Sequence, residues 1–379
     1  MLQRGSSGHT VRSLFKAVKC MSNMGRLIVS GIVLAVLAVL IGNRFFELKR
    51  IALVDGELRQ NHLPNCQHIK GLEYGSEDLQ ILPNGLAIIS TGLKYPGMPF
   101  FSDGPGKIFM LDLEDERLKP VELRIGRGFD ITSFNPHGIS IYTDEKDQSV
   151  HLFVVNHPEG KSQVEIFKLV QEENAIMHLK TIQHEFLHSV NDIVAVGPES
   201  FYATNDHYFT NTMLRDLGSC LLLPWCTVVY YSPEEVKEVA SGFYSANGIN
   251  ISPDNKYLYV SDIMDHAFKV MEIQENKTLH HVKSVPVGSL CDNIEVDPET
   301  GDLWTGCHPN GMKLASYNPE DPPGSEVFKI QDIHSEKPTV TVVYADDGSV
   351  IQGSSVASVY KGKLIIGTVY HKALYCDLK

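Results

Sequence analysis

Acidic and amide side chains recur at the starts of four short apolar segments in this 379-residue chain. The four stretches are Ser76-Glu77-Asp78-Leu79, Val190-Asn191-Asp192-Ile193, Ala246-Asn247-Gly248-Ile249 and Cys291-Asp292-Asn293-Ile294. Carboxylate, amide and carbonyl oxygens are the ligands that Ca²⁺ prefers. The candidate ligands in these stretches are the oxygen-bearing residues Glu77, Asp78, Asn191, Asp192, Asn247, Asp292 and Asn293. This set includes no cysteine and needs no histidine, which favours calcium over zinc or iron. Because the chain has no EF-hand loop, such a site must be assembled from distant segments.

These stretches belong to a repeat that recurs roughly every 55 residues, near the spacing of propeller blades. Its openings align on Asp78, Gly138, Asp192, Asn247, Asn293 and Ser354. Each opening leads into a strand-like run, a turn and a second strand-like run. The pattern predicts an all-β, six-bladed β-propeller over residues 63–379, with the openings around a central tunnel. Turn formation explains Asn84 or Asp254, but acids crowded at one axis would repel each other without a cation.

An uncharged run, Leu27–Ile41, follows a basic amino-terminal stretch. It is long for the apolar part of a signal peptide and short for a full span, although Phe45 and Phe46 can extend it. We predict a basic cytoplasmic tail over residues 1–26, a signal anchor over 27–46 and a linker or short helix over 47–62. The positive flank places the body in the endoplasmic reticulum lumen or outside the cell. A cleaved signal with a secreted body is the alternative.

The overall charge of −13 is unevenly distributed, because residues 1–50 hold eight basic residues and one acidic residue. The acidic body argues against binding to nucleic acid.

Seven cysteines without a CxxC pair make a zinc site unlikely, and Cys220 and Cys226 are close enough in sequence to pair. Two glycosylation sequons occur. Asn250 falls inside a predicted strand, whereas Asn276 is the better acceptor.

One segment, residues 208–231, departs from the strand pattern. Met213, Leu214, Leu217 and Leu221 recur there at roughly helical spacing. The segment is either a buried linker between blades or a short helical lid over the tunnel mouth. Such a lid would touch a membrane or a lipophilic substrate.

Several longer strings resemble the serum paraoxonase (arylesterase and lactonase) family. They are Asn135-Pro136-His137-Gly138-Ile139-Ser140, Val155-Asn156-His157-Pro158, Ala203-Thr204-Asn205-Asp206-His207-Tyr208-Phe209, Ala246-Asn247-Gly248-Ile249-Asn250-Ile251-Ser252-Pro253 and Gly306-Cys307-His308-Pro309-Asn310-Gly311. The resemblance extends from about Leu63 to Cys376 and implies a six-bladed propeller with two calcium ions in its tunnel.

Matched residue by residue, the resemblance assigns ligands to both ions. The catalytic calcium falls on Glu77, Asn191, Asn247, Asp292 and Asn293. The structural calcium falls on Asp78, Asp192 and the backbone carbonyl of Ile139. The resemblance also implies a disulfide between Cys66 and Cys376 and a free cysteine at Cys307.

The catalytic residues implied by the resemblance are His137 as general base and His157 as its proton-relaying partner. A calcium-bound water or a ligand carboxylate could serve as the base instead. Tyr95, Trp304 and His308 match positions that line the family's pocket, although core packing is an alternative for Trp304. Ser245 and the stretch 210–226 depart from the family pattern, which bears on the choice of substrate.

The implied function is calcium-dependent hydrolysis of lactones, including lipophilic and N-acyl homoserine lactones, with promiscuous arylesterase activity. Calcium would polarise the carbonyl while a histidine activates water. One alternative makes aryl esters or organophosphates the main substrates. Another is a calcium-stabilised propeller that binds partners without catalysis. Small-molecule lactones and esters and a membrane are the expected partners, and the sequence does not indicate an oligomeric state.

Overall fold

A computed structural model of the chain describes residues 7–53, 58–95, 98 and 103–378. Residues 1–6 of the predicted basic tail and residues 54–57 of the predicted linker lie outside the described residues. The chain divides into two units, Met1–Leu48 and Lys49–Lys379.

The first element is helix α1 (Ser7–Ala52), which contains the uncharged run. Its segment Gly25–Ala52 has 28 residues, and the most apolar 18-residue stretch within it has a mean hydropathy of 2.4 and is not buried. By length and composition this helix can cross a membrane. Signal anchors and cleaved signal sequences share this property, so the helix is consistent with either. Because α1 continues to Ala52, the first residues of the predicted linker are helical.

The second unit consists mainly of strands. In chain order they begin with β1 (Gln67–His68), β2 (Leu79–Ile81), β3 (Leu86–Thr91), β4 (Lys107–Asp112), β5 (Val121–Glu122), β6 (Arg124–Ile125), β7 (Pro136–Thr143), β8 (Val150–Asn156), β9 (Gln163–Val170), β10 (Ala175–Ile182), β11 (Val190–Gly197) and β12 (Ser200–Asn205). They continue with β13 (Cys226–Tyr231), β14 (Val236–Phe243), β15 (Ala246–Ile251), β16 (Tyr257–Asp262), β17 (Ala267–Ile273), β18 (Leu279–Pro286), β19 (Leu290–Val296), β20 (Leu303–His308), β21 (Ser325–Gln331), β22 (Thr339–Asp346), β23 (Ser354–Tyr360), β24 (Lys363–Thr368) and β25 (Leu374–Asp377). Short helices are α2 (Thr212–Cys220), α3 (Gly311–Ala315) and three 3₁₀ turns, Pro158–Gly160, Gln171–Glu173 and Ile263–Asp265.

The described strands form six sheets, one per blade. The first five blades are β2–β5, β6–β10, β11–β14, β15–β18 and β19–β22, and the sixth combines β23, β24 and β25 with β1. Neighbouring strands run antiparallel, except that the short β6 lies parallel to β10. The predicted six-bladed β-propeller is therefore confirmed.

The sixth blade closes the ring by joining the two ends of the body. Gln67 of β1 pairs with Tyr375 of β25, and a disulfide links Cys66 to Cys376 immediately beside this pair. The outer strand of the last blade thus comes from the start of the body, which holds the two ends of the ring together. A crosslink over 310 residues contributes about 5 kcal/mol in the loop-entropy description.

Apolar side chains fill the spaces between neighbouring blades. One cluster joins the first two blades and includes Ile88, Leu152 and Phe167, and comparable clusters join the others. The apolar core thus lies in a ring between blades. The axis is left to the first residues of the inner strands, which are buried polar side chains such as Glu77 and Asp192.

Two glycines allow the inner strands to approach each other at this axis. A side chain at Gly138 would collide with the side chain of Asp192 on the next blade. A side chain at Gly248 would collide with the carbonyl of Asp292, again on the next blade. Glycine at these two positions therefore brings the polar openings of adjacent blades together.

Helix α2 occupies the segment that departs from the strand pattern, as the helical spacing predicts. Asn211 caps it by accepting a hydrogen bond from the Leu214 N–H at 3.2 Å. The helix contains no buried residue, and Met213 and Leu217 are 76% and 52% exposed. Interpretation as a buried linker is therefore wrong for the helix, whose apolar side chains are exposed, whereas residues 226–231 of the same segment form β13 and are mostly buried.

Candidate active site

A cavity of about 240 Å³ opens above the starts of the inner strands. Its apolar walls are formed by Ala52, Leu93, Met98, Ile263, Met264, Leu290, Leu314 and Val369. Its polar lining consists of Glu77, Tyr95, His137, Asn191, Asp206, His207, Ser245, Asn247, Asp292 and His308. Apolar walls with convergent polar groups are typical of a binding site for small molecules.

The inner strands carry a β-bulge at the point where these polar residues lie. Pairing with the second strand of the blade shifts register between Val190 and Ile193, between Ala246 and Ile249, and between Cys291 and Ile294. A bulge can turn two consecutive side chains towards the same side of a strand. This geometry lets neighbouring residues such as Asn191 and Asp192 both face the tunnel.

Four buried oxygens at the tunnel mouth have no hydrogen-bond partner within the described ranges. They are Glu77 Oε2, Asn191 Oδ1, Asn247 Oδ1 and Asn293 Oδ1. An unsatisfied buried polar atom costs about 1–3 kcal/mol, so four of them together indicate a ligand. We call the five residues that the resemblance assigns to the catalytic ion the upper layer: Glu77, Asn191, Asn247, Asp292 and Asn293.

Hydrogen bonds orient two amides of the upper layer. Asn293 Nδ2 donates to Glu77 Oε1 at 2.9 Å and to the Glu77 carbonyl at 3.0 Å. Asn191 Nδ2 donates to Asp206 Oδ2 at 3.3 Å. Because each amide nitrogen is bonded to the protein, each amide oxygen is left for a ligand. Oxygen is the donor that calcium prefers.

Asp78 and Asp192 directly follow the upper-layer residues Glu77 and Asn191 in the chain. We call these two aspartates and Ile139 of the second blade the lower layer. Asp78 accepts hydrogen bonds from the N–H of Leu79 at 2.8 Å and of Ile139 at 2.7 Å. Asp192 accepts from the next residue in the chain and from Ile249, both at 2.7 Å. Since Ile139 and Ile249 belong to the following blades, each carboxylate joins two blades.

The lower-layer carboxylates lie in an environment that disfavours negative charge. Burial, and then the charge of Glu77, raises the pKa of Asp78 well above its ordinary value. Burial, and then the charge of Asp78, does the same to the pKa of Asp192. No lysine or arginine charge in the described part of the chain offsets these effects. A divalent cation would supply the compensating charge.

The donor types of both layers fit calcium better than a transition metal. No group of three or more His, Cys, Asp and Glu side chains among the described residues is arranged to hold a metal ion. Each layer instead contributes two carboxylates, supplemented by amide oxygens above and a backbone carbonyl below. Calcium accepts such mixed oxygen ligands, whereas zinc sites rely on cysteine and histidine.

The histidine pair adjoins the upper layer, and its hydrogen bonds fix its tautomers. His157 Nδ1 lies 3.2 Å from the Lys161 carbonyl, which can only accept, so Nδ1 carries the proton. Neutral His157 then accepts at Nε2 from His137 Nδ1, 3.0 Å away. The lone pair of neutral His137 is left on Nε2, which is 3.6 Å from Glu77 Oε1.

The pKa values of these two histidines shift in opposite directions. Burial, and then the positive charge of His137, lowers the pKa of His157 to about 3. Burial also acts to lower the pKa of His137, but the negative charges of Glu77, Asp206 and Asp292 outweigh it and raise that pKa. His137 is therefore the member of the pair that takes up a proton.

Two further polar residues of the cavity, Asp206 and His207, were not among the predicted site residues. Asp206 accepts hydrogen bonds from Tyr95 Oη and from Ser189 Oγ at 2.6 Å, and it lies 2.7 Å from His207 Nδ1. Burial acts to raise the pKa of Asp206, but the charge of His207 and these hydrogen bonds lower it. Asp206 thus holds Tyr95 in the cavity wall. Its position directly after β12 is the signal that could have revealed it.

The predicted pocket residues separate into two groups. Tyr95 and His308 line the cavity, and His308 Nε2 lies 2.9 Å from Asp292 Oδ2. Trp304 is instead buried in a core cluster with Val327 and Tyr344. The structure thus corrects its assignment to the pocket, because its position on β20 turns its side chain into the interior of the propeller.

The cysteines also differ from expectation. Cys307 is joined by a disulfide to Cys291, which lies directly opposite on the neighbouring strand. Cys307 is therefore not the free cysteine that the resemblance implies. Cys220 and Cys226 do not pair, since Cys220 is exposed and Cys226 is buried.

The structure separates the two glycosylation sequons. Asn250 is 8% exposed, and its Nδ2 donates to the Ile294 carbonyl at 2.7 Å. The folded chain leaves no room for a glycan there, which corrects the inclusion of Asn250 among the acceptors. Asn276 is exposed in the turn between β17 and β18.

Comparison with known proteins identifies close relatives. Residues 57–378 match the family model described as Arylesterase. The chain is 58% identical to serum paraoxonase/arylesterase 2 of Gallus gallus and of Homo sapiens, in each case over 94% of this chain and 100% of the relative. It is 59% identical to serum paraoxonase/arylesterase 1 of Homo sapiens over 85% of this chain and 91% of the relative.

Solved structures with the same fold are more distant. A luciferin-regenerating enzyme superimposes with a TM-score of 0.52 at 11% identity, covering 82% of this chain and 94% of that one. A gluconolactonase of Xanthomonas campestris superimposes with a TM-score of 0.50 at 15% identity, covering 86% and 97%. These likenesses show the propeller fold alone. The family match and the identities above 50% over nearly the whole chain show that this protein belongs to the arylesterase (paraoxonase) family, whose members hydrolyse esters and lactones.

Proposed function

We propose that the protein is a calcium-dependent lactonase that prefers lipophilic lactones, N-acyl homoserine lactones among them, and also hydrolyses aryl esters. The observation that carries this proposal is the group of unpartnered oxygens in the upper layer, beside a histidine pair and beneath an apolar cavity. The upper layer would hold one calcium ion, and the lower layer, including the carbonyl of Ile139, a second. When bound, the upper ion would polarise the substrate carbonyl.

His137 would act as the general base. Its Nε2 takes a proton from water as the water oxygen bonds to the carbonyl carbon. The resulting positive charge on His137 lies 3.6 Å from the carboxylate of Glu77. Cleavage of the ring C–O bond, with transfer of this proton from His137 Nε2 to the leaving oxygen, then gives a hydroxy acid and restores neutral His137. The low pKa of His157 supports a neutral His157 that fixes the tautomer of His137, and relay of the proton through His157 stays a prediction.

The cavity supports the preference for lipophilic substrates. Its volume of about 240 Å³ is below the 300–1,000 Å³ of typical ligand pockets. A lactone ring fits over the polar floor, whereas a long acyl chain must extend out of the cavity mouth. The apolar side chains of Leu93, Met264 and Val369 would contact the part of the chain nearest the ring.

We place the propeller in the lumen of the endoplasmic reticulum or outside the cell, anchored by α1. The apolar helix near the amino terminus and two disulfides support this location. Asn276 is the proposed glycosylation site. Amino-terminal sequencing of the mature protein tests the anchor, because a new amino terminus beyond residue 46 would show cleavage and secretion.

Substrate profiling of the full-length protein in detergent tests the activity. We expect kcat/KM to be higher for a long-chain lactone than for phenyl acetate or a phosphotriester. Chelation should abolish turnover of all three, and added calcium should restore it. A higher kcat/KM for phenyl acetate or the phosphotriester would make that ester the main substrate. Turnover that survives complete calcium removal would refute the calcium-dependent mechanism.

A further inference from the structure

Asn135 directly precedes β7, the strand that carries His137, and the proposed mechanism does not use its side chain. Its Oδ1 accepts a hydrogen bond from the Lys94 N–H at 2.7 Å, and its Nδ2 donates to the Lys94 carbonyl at 3.0 Å. We call these two bonds the Lys94 clamp. An asparagine amide offers one acceptor group and one donor group, and here both bind the backbone of one residue. The half-buried Asn135 side chain thus holds Lys94 as a residue of a neighbouring strand would.

The Lys94 clamp fixes the chain directly before Tyr95, an aromatic residue of the cavity wall. At the far end of this side chain, Tyr95 Oη donates a hydrogen bond to Asp206. The Tyr95 ring lies against the histidine pair, with its centroid 5.4 Å from that of His137 and 6.1 Å from that of His157. Because Asp206 holds the hydroxyl and the clamp holds the adjoining backbone, Tyr95 is anchored at both ends.

Backbone contacts hold Asn135 itself in place. Its N–H donates to Asn156 Oδ1 at 2.9 Å, and its carbonyl accepts from the His157 N–H at 3.0 Å. Asn156 is buried and is fixed in turn, because its Nδ2 donates to Glu165 Oε1 at 3.0 Å. The Asn135 side chain makes one further hydrogen bond, from Nδ2 to the His157 carbonyl at 3.4 Å. A change of this side chain therefore removes the Lys94 clamp and this longer bond but leaves the backbone bonds of Asn135.

We propose that Asn135 is a positioning residue for lactone hydrolysis, whose amide keeps the Tyr95 ring against the histidine pair and in the cavity wall. Without the Lys94 clamp, the chain beside Tyr95 loses two hydrogen bonds, and the wall that orients the lactone relative to His137 can shift. Asn135 acts through Tyr95, because it is not among the residues that line the cavity. This inference rests on the proposed function for the reaction that it affects, whereas the clamp can be measured without turnover.

Turnover of a long-chain lactone by the full-length protein in detergent tests the role. We expect Asn135→Ala to lower kcat/KM about tenfold or more, since displacement of a site residue by about 1 Å can cost about 10²-fold. Tyr95→Ala removes the ring that the clamp positions. When Asn135→Ala is added to Tyr95→Ala, kcat/KM should fall by less than about twofold further, because two residues that act as one unit are not additive. The unfolding temperature in saturating calcium, measured on the same preparations, separates loss of positioning from loss of the fold.

Hydrogen exchange and a control variant complete the test. Exchange of the Lys94 amide, followed by mass spectrometry without substrate, should be faster in Asn135→Ala because the amide loses its acceptor. Asn61→Ala removes a comparable pair of bonds, from Asn61 Nδ2 to the carbonyls of Val342 and Val343 at 3.1 and 3.0 Å. Since these bonds lie outside the cavity, that variant should leave kcat/KM unchanged.

A second substitution keeps the test decisive if Asn135→Ala does not fold. Asn135→Asp keeps the size and the acceptor for the Lys94 N–H but places an oxygen against the Lys94 carbonyl. It should also lower kcat/KM, and Tyr95→Ala should again mask the loss. Full multiplication of the losses from Asn135 and Tyr95 variants, or unchanged exchange at Lys94, would overturn the proposal. Faster exchange at Lys94, together with wild-type protein that hydrolyses no lactone, would instead overturn the proposed function and leave the clamp.

Discussion

The upper and lower layers of the tunnel are adjacent in sequence but differ in how the protein satisfies their oxygens. In the upper layer, Glu77 Oε2 and three amide oxygens have no partner among the described residues. In the lower layer, each oxygen of Asp78 and Asp192 accepts a backbone N–H. The upper layer is thus prepared for a ligand, whereas the lower layer is also part of the framework between blades.

This difference separates the roles expected of neighbouring residues. The upper layer faces the cavity and the base His137, so a change there should alter the reaction. The lower layer links the first blade to the second and the third to the fourth, so a change there should loosen the propeller. The bulges at the strand openings make this division possible, since they let consecutive residues serve different layers.

Glu77→Gln should produce the largest loss of turnover. Glutamine keeps the volume but removes a negative charge beside His137 and one carboxylate from the upper layer. We expect kcat for lactones to fall about 10²- to 10³-fold, the range for loss of one group that stabilises charge in a transition state. The unfolding temperature in saturating calcium should change little. Stopped-flow kinetics and thermal unfolding of the same preparations measure both.

His137→Gln should reduce turnover about 10²-fold or more, as expected when a general base is removed. The pH dependence provides a second measurement. The pKa of His137 is raised, and its protonated form cannot act as a base, so wild-type activity should fall as the pH is lowered through that pKa. The variant should lose this acidic limb. His151→Gln, a change outside the cavity, is the matched control. Undiminished lactone turnover by His137→Gln would remove this residue from the mechanism.

Asp78→Asn should affect stability more than turnover. An amide nitrogen would face a backbone N–H where a carboxylate oxygen now accepts, so one hydrogen bond is lost and two donors meet. We expect the free energy of unfolding to fall by about 3 kcal/mol, with kcat retained in excess calcium. Denaturant titration and activity at saturating calcium measure the two quantities. If Glu77→Gln and Asp78→Asn both lose activity only through unfolding, the two layers do not have separate roles.

The sequence was sufficient for the fold and for the identity of the polar openings. Their recurrence reflects the geometry of the propeller, in which every inner strand begins at the same axis. The sequence did not predict contacts that depend on how strands and blades are aligned with each other. The hydrogen bond from Ile139 to Asp78 depends on how the first two blades pack, and the inward turn of Trp304 depends on the register of β20. The disulfide between Cys291 and Cys307 likewise depends on the register that places them opposite each other on β19 and β20.

Cys291→Val should have the smallest effect on turnover and tests whether the upper layer depends on this disulfide. Cys291 and Cys307 directly precede Asp292 and His308, which contact each other at 2.9 Å. The disulfide closes a loop across 16 residues, so its loss should cost about 3 kcal/mol of stability in the loop-entropy description.

We expect lactone kcat/KM to change less than about threefold, because hydrogen bonds within the layer, and not the disulfide, orient its amides. Thiol titration of the denatured, unreduced protein checks the bond. Among the described cysteines, Cys220 and Cys226 are free, and the variant should show one reactive thiol more than wild type, from Cys307. Cys220→Ala, at an exposed free cysteine, is the control for loss of a cysteine. A large fall in kcat/KM for Cys291→Val, without one for Cys220→Ala, would contradict this expectation. It would mean that the geometry of the upper layer, like that of the lower, depends on how its strands are held together.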